Sequence, residues 1–104
     1  MEQKWLESDE SVILDGKAFI WISGKFTRNG TWALLYLTNK RLYVKDRIFR
    51  IKLLEFPYPD IKSVESDDKT LKVTGYYEGK GYQLSIRLKD IDEMWESMIR
   101  GRMR

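Results

Sequence analysis

The feature that most constrains how this chain can fold is a change of hydrophobic period near its end. Leu71 and Val73 alternate with Lys72 and Thr74, and Tyr82, Leu84, Ile86 and Leu88 alternate with Gln83, Ser85 and Arg87. That is the period-2 signature of half-buried strands. From Ile91 the spacing becomes helical: Ile91, Met94, Trp95, Met98 and Ile99 fall at i, i+3, i+4, i+7 and i+8, one stripe of an amphipathic helix. A run of strands followed by a single amphipathic helix reads as a mainly β domain, and such a helix is one way to cover exposed sheet edges and core.

The rest of the chain divides by its turn formers. Trp5 to Ser11 is a polar, acidic lead-in, and Val12 to Ile22 reads as a first strand in which Gly16 predicts a bulge or bend. Ser23 to Gly30 reads as a loop. A second strand covers Thr31 to Leu37, Thr38-Asn39-Lys40 is a tight turn, and a third strand covers Arg41 to Lys45. The fourth is expected over Ile48 to Phe56. Pro57 and Pro59 interrupt the sheet as a crossover, because proline donates no ladder hydrogen bond. Asp60 to Glu65 gives a fifth strand, Ser66 to Lys69 a turn, and the two clear strands above are joined by Glu78-Gly79-Lys80-Gly81 as a hairpin. Asp90 is expected to cap the helix with Glu93 three residues on, and Gly101 to stop it.

At 104 residues this is one domain, and 42% apolar content with four Trp, six Tyr and four Phe is globular rather than disordered. Cysteine and histidine are both absent. Disulfides, thiolate chemistry and the Ser–His and Cys–His mechanisms are therefore closed. Glu65, Asp67 and Asp68 cluster at one turn, where solvated turn-forming is the expected role. Gly79-Lys80-Gly81 lies between strands and is no phosphate loop. The sequence thus reads as a non-enzyme that needs no cofactor, metal or small-molecule substrate. The longest apolar run, Trp32 to Leu37, is far short of the ~20 residues of a spanning helix. Without a secretory segment after Met1, the expectation is a soluble cytoplasmic protein. Two Asn and two Gln against 19 Lys+Arg and 16 Asp+Glu is a bias shared with thermophile proteins.

The run Thr31-Trp32-Ala33-Leu34-Leu35-Tyr36-Leu37-Thr38-Asn39-Lys40-Arg41-Leu42-Tyr43-Val44 resembles the strand–turn–strand signature of GRAM and related pleckstrin-homology-like domains. The segment from Leu54 to Glu65, with Pro57 and Pro59, is similar to their crossover, and Trp95 to the aromatic plug of their final helix. The likeness runs from about Ser11 to Gly101. It implies a mainly β fold: a seven-stranded, partly open barrel of two near-orthogonal antiparallel sheets, capped by a C-terminal helix. It also implies that the end opposite the helix carries ligand loops.

Two surfaces follow as candidates. The first is a basic rim of Lys25, Phe26 and Arg28, Lys45 and Arg47, and Lys80, partly offset by Asp46 and Glu78. Such a rim suits weak peripheral binding to an anionic membrane, as at the inner membrane face, with Phe26 as an interfacial wedge. Phosphoinositide-binding relatives also carry basic residues on the second strand, and Thr31 to Leu37 has none. The second is a protein interface. Trp32, Leu34 and Tyr36 share one face of the second strand while Ala33, Leu35 and Leu37 share the other, and only one face can point into a core. The outward face is covered by a protein partner, by a second copy, or by the chain's own Trp5 and Leu6. Docking to a protein or to itself is the leading expectation. Arg100, Arg102 and Arg104 form a basic tail that suits solubility, and no nucleic-acid signature accompanies them.

Overall fold

A computed structural model of the chain describes residues 5–24 and 27–103, the side chain of Arg28 excepted. Seven strands form one antiparallel sheet: β1 (Val12–Gly24), β2 (Arg28–Thr38), β3 (Arg41–Asp46), β4 (Lys52–Pro57), β5 (Ile61–Ser66), β6 (Thr70–Tyr77) and β7 (Lys80–Arg87). The spatial order is β4-β3-β2-β1-β7-β6-β5, and β4 and β5 remain unpaired edges. One helix, α1 (Met94–Arg102), follows. This is a mainly β, partly open barrel with a C-terminal helix.

The two sheet halves expected from the sequence are joined through β1. Its Ile20 pairs with Thr31 of β2 on one side and with Ile86 of β7 on the other, so the two halves are one hydrogen-bonded surface. The register shifts along β1 fall between Val12 and Leu14 and between Ile20 and Ile22, not at Gly16. Gly16 instead lies under the helix, where a Cβ would sit 3.6 Å from Trp95. Curling brings β4 over β6, which requires Gly75. A Cβ there would stand 2.8 Å from the Asp60 carbonyl oxygen and 3.1 Å from the Phe56 ring.

Inside the curl, Ala18, Ile20, Ala33, Leu35, Leu37, Leu42, Val44, Leu54, Phe56, Leu71, Val73, Leu84 and Ile86 are fully buried. They come from alternate positions on the strands, and their removal from water is the main stabilising term. Trp95 and Ile99 of α1 close this core, with Met98 and Ile91 packed against it.

Four boundaries differ from the sequence reading. The first two strands run further into the expected loop, since β1 pairs with β2 as far as Ile22↔Arg28 and with β7 as far as Gly24↔Tyr82, regardless of side-chain pattern. The fourth strand begins at Lys52, and Ile48 to Arg50 belong to a turn. Asp90 does not cap α1. It accepts the Phe19 amide at 2.9 Å beside the end of the β1–β7 ladder, while Asp92 accepts the Met94 amide at 2.9 Å. Gly101 lies inside the helix rather than ending it. No helix among the described residues is long and apolar enough to cross a membrane.

Candidate functional site

Antiparallel order sends the β1–β2, β3–β4 and β6–β7 connections to the same end of the barrel, as the pairing of Gly24 with Tyr82 fixes for the first and last. The β6–β7 turn is tight. Glu78 and Gly79 both take positive φ, 53° and 78°, as a two-residue type I′ turn demands. Lys80 stands exposed beside it.

The β3–β4 connection is the most organised of the three. Asp46 is only 7% exposed. Its Oδ2 accepts the amides of Ile48 at 2.9 Å and Phe49 at 2.7 Å. Its carbonyl accepts the Arg50 amide at 3.1 Å, and its own amide donates to the Ile51 carbonyl at 2.8 Å. Arg50 completes the turn at φ 60°, a conformation unusual for a residue with a side chain. The amides of Ile48, Phe49 and Arg50 are thus satisfied within the turn, and the apolar side chains stand outward. Ile48 is 76% exposed, Phe49 75% and Ile51 56%.

Cations surround this apolar tip. Arg47 and Arg50 are exposed on the turn itself, and Lys45 lies at its base with the ammonium 5.6 Å from the Tyr36 ring. Burial, and then the charge of Arg50, pull the Lys45 pKa below its ordinary value. Among the described residues, Lys45, Arg47, Arg50 and Lys80 enter no ion pair. The Asp46 carboxylate sits within the same loop as these cations, turned onto the backbone amides of Ile48 and Phe49. Of the expected rim, the structure brings Lys45, Arg47 and Lys80 to the loop end; Lys25, Phe26 and the Arg28 side chain lie outside the described residues.

Ile48, Phe49, Ile51 and Arg50 also stand at this end, outside the rim expected from the sequence. The apolar character of Ile48, Phe49 and Ile51 reads in the sequence as the start of a strand. The available signal was an aspartate two and three residues ahead of amides that needed an acceptor. Other large exposed apolar side chains are Trp21 on β1, Tyr76 on β6 and Met94 on α1.

The second-strand stripe faces outward as expected, but much of it has cover from the chain itself. Trp5 stacks on Tyr43 with centroids 4.0 Å apart and packs on Tyr36 at 5.2 Å, leaving Tyr36 only 7% exposed. At the other end Phe19 meets Trp32 edge-on at 5.6 Å, and the Arg87 guanidinium lies 5.2 Å from the Trp32 ring. Leu34 between them is half-buried over a shallow pocket shared with Asp15, Gly16 and Tyr36.

No group of three or more acidic side chains among the described residues is arranged to hold a metal. Asp67 is occupied in its turn, accepting the amides of Lys69 and Thr70 at 2.8 Å each. No protein-family model and no curated protein sequence matches this chain.

Proposed function

We propose that this protein is a non-catalytic binding module of the pleckstrin-homology-like, GRAM-type class, and that it docks through its loop end onto an anionic surface. The observation that carries the reading is the β3–β4 loop: an apolar tip on a backbone locked by Asp46, flanked by cations that enter no ion pair among the described residues. Each unpaired Lys or Arg held near an anionic leaflet contributes about 1 kcal/mol, so the rim gives weak, reversible attachment. The outward stripe of Trp32, Leu34 and Tyr36 supports protein docking or self-association less well, because Trp5, Phe19 and Arg87 already contact it.

Sedimentation with vesicles tests this directly. The protein should pellet with phosphatidylserine-containing vesicles and not with phosphatidylcholine alone. Pelleting should fade toward 1 M salt, where the screening length is about 3 Å. A protein that stays in the supernatant at low salt as a salt-resistant oligomer would overturn the reading in favour of the stripe.

A further inference from the structure

We infer that the β3–β4 loop is a preformed wedge that inserts Ile48 and Phe49 into the headgroup–acyl boundary of an anionic bilayer, with Arg47 and Arg50 engaging lipid phosphates on either side. This rests on the docking reading above and names its partner and its depth.

Three observations favour a bilayer over a protein. The tip is convex and small. Two or three side chains fall well short of the ~800 Å² that each partner gives a stable protein interface. Its apolar residues are bracketed by cations at Lys45, Arg47, Arg50 and Lys52, the arrangement in which long basic side chains reach headgroups while short apolar ones go deeper. Among these, Lys52 is held back by Glu55 at 2.9 Å, while Arg47 and Arg50 enter no ion pair among the described residues.

The loop is also rigid in a way that insertion requires. A backbone entering an apolar layer must satisfy its polar groups internally. Here the amides of Ile48 and Phe49 are bonded to Asp46 Oδ2 and the Arg50 amide to the Asp46 carbonyl before any membrane is met. Exposed Ile and Phe on an ordered turn have no internal role to explain them, since neither belongs to the packed core. Tyr76, exposed beside the β6–β7 turn where it pairs with Gly81, is a residue type that settles at the interface plane.

The chain has no cysteine, so one introduced thiol can be labelled uniquely. An Ile48→Cys variant carrying an environment-sensitive fluorophore should shift to the blue and become shielded from aqueous iodide on adding phosphatidylserine/phosphatidylcholine vesicles. The same label at Met94→Cys, on the helix, should not respond. Ile48→Ser/Phe49→Ser should keep the melting temperature of the parent while its vesicle partitioning falls on the order of tenfold or more. If the parent pellets but the label at residue 48 stays in water and the double serine variant binds equally well, docking survives and the wedge is overturned. If the parent does not pellet at low salt, both are overturned.

Discussion

Glu10 occupies a position where a carboxylate is costly unless it is fully paired. Its side chain is 0% exposed, against 12% for Arg41, whose Nε and Nη2 donate to the two carboxylate oxygens at 2.8 and 2.9 Å. Thr38 Oγ1 donates to Glu10 at 2.6 Å, and the remaining reach of Arg41 goes to Glu55 and to the Trp5 carbonyl. Burial pushes the Glu10 carboxyl up, but the bonds from Arg41, Thr38 and the Glu7 amide outweigh it and hold its pKa at about 2. The pair therefore ties the N-terminal segment, and Trp5 with it, across Tyr36 and Tyr43. Glu10→Gln leaves Arg41 short of a charge partner and should cost about 3 kcal/mol at neutral pH, the low end for a broken buried pair because Glu55 remains. The sign with pH follows from the depressed folded-state value. This stabilisation is fully present above the unfolded pKa of 4.5 and is lost as pH falls toward about 2. Thermal melts of parent and variant should thus differ clearly at neutral pH and converge as pH drops through that window. A difference independent of pH would show that shape, not charge, holds the segment.

At the scale of elements, α1 is held by two buried side chains and loses most of its reason to dock without them. Trp95 is 3% exposed and Ile99 0%, and the Trp95 ring lies over Gly16 of β1. Trp95→Ala should cost about 3–5 kcal/mol, read as a fall in melting temperature, because no neighbouring side chain can collapse into the space of an indole. A near-neutral result would place the ring at the surface. This helix was legible in the sequence because its apolar stripe has a single period, as were β6 and β7 through strict alternation. The details that failed have a common cause. Periodicity reports which side chains are buried, not which backbone groups are bonded. Asp90 and Asp92 are equivalent by pattern, yet Asp90 goes to the Phe19 amide and only Asp92 reaches the helix. Ile48, Phe49 and Ile51 look like strand residues because apolar residues usually mark burial, and here they are the exposed exception. The cover of Tyr36 by Trp5 depends on a contact between distant parts of the chain, which no local pattern contains.

Charge is divided unevenly over the whole molecule, and this division, more than its total, is what the docking reading depends on. At the β2–β3 turn, Lys40 and Arg41 are neutralised by Glu7, Asp9, Glu10 and Glu55, and the Thr38-Asn39 turn is bonded to the same acidic segment. The opposite end keeps Lys45, Arg47, Arg50 and Lys80 unpaired among the described residues. A molecule with a formal charge of +3 can approach an anionic surface in any orientation if only its net charge matters. A polarised one approaches loops first. Two double reversals separate these cases, since each changes the net charge by the same amount. Arg47→Glu/Lys80→Glu alters two different loops of the rim, and Lys89→Glu/Arg102→Glu alters exposed positions after β7 and on α1. Vesicle pelleting at low salt should be abolished by the first pair and largely retained by the second, with both variants melting near the parent. Equal losses from the two pairs would mean that attraction is a property of total charge, and the loop end would then have no special claim to the membrane.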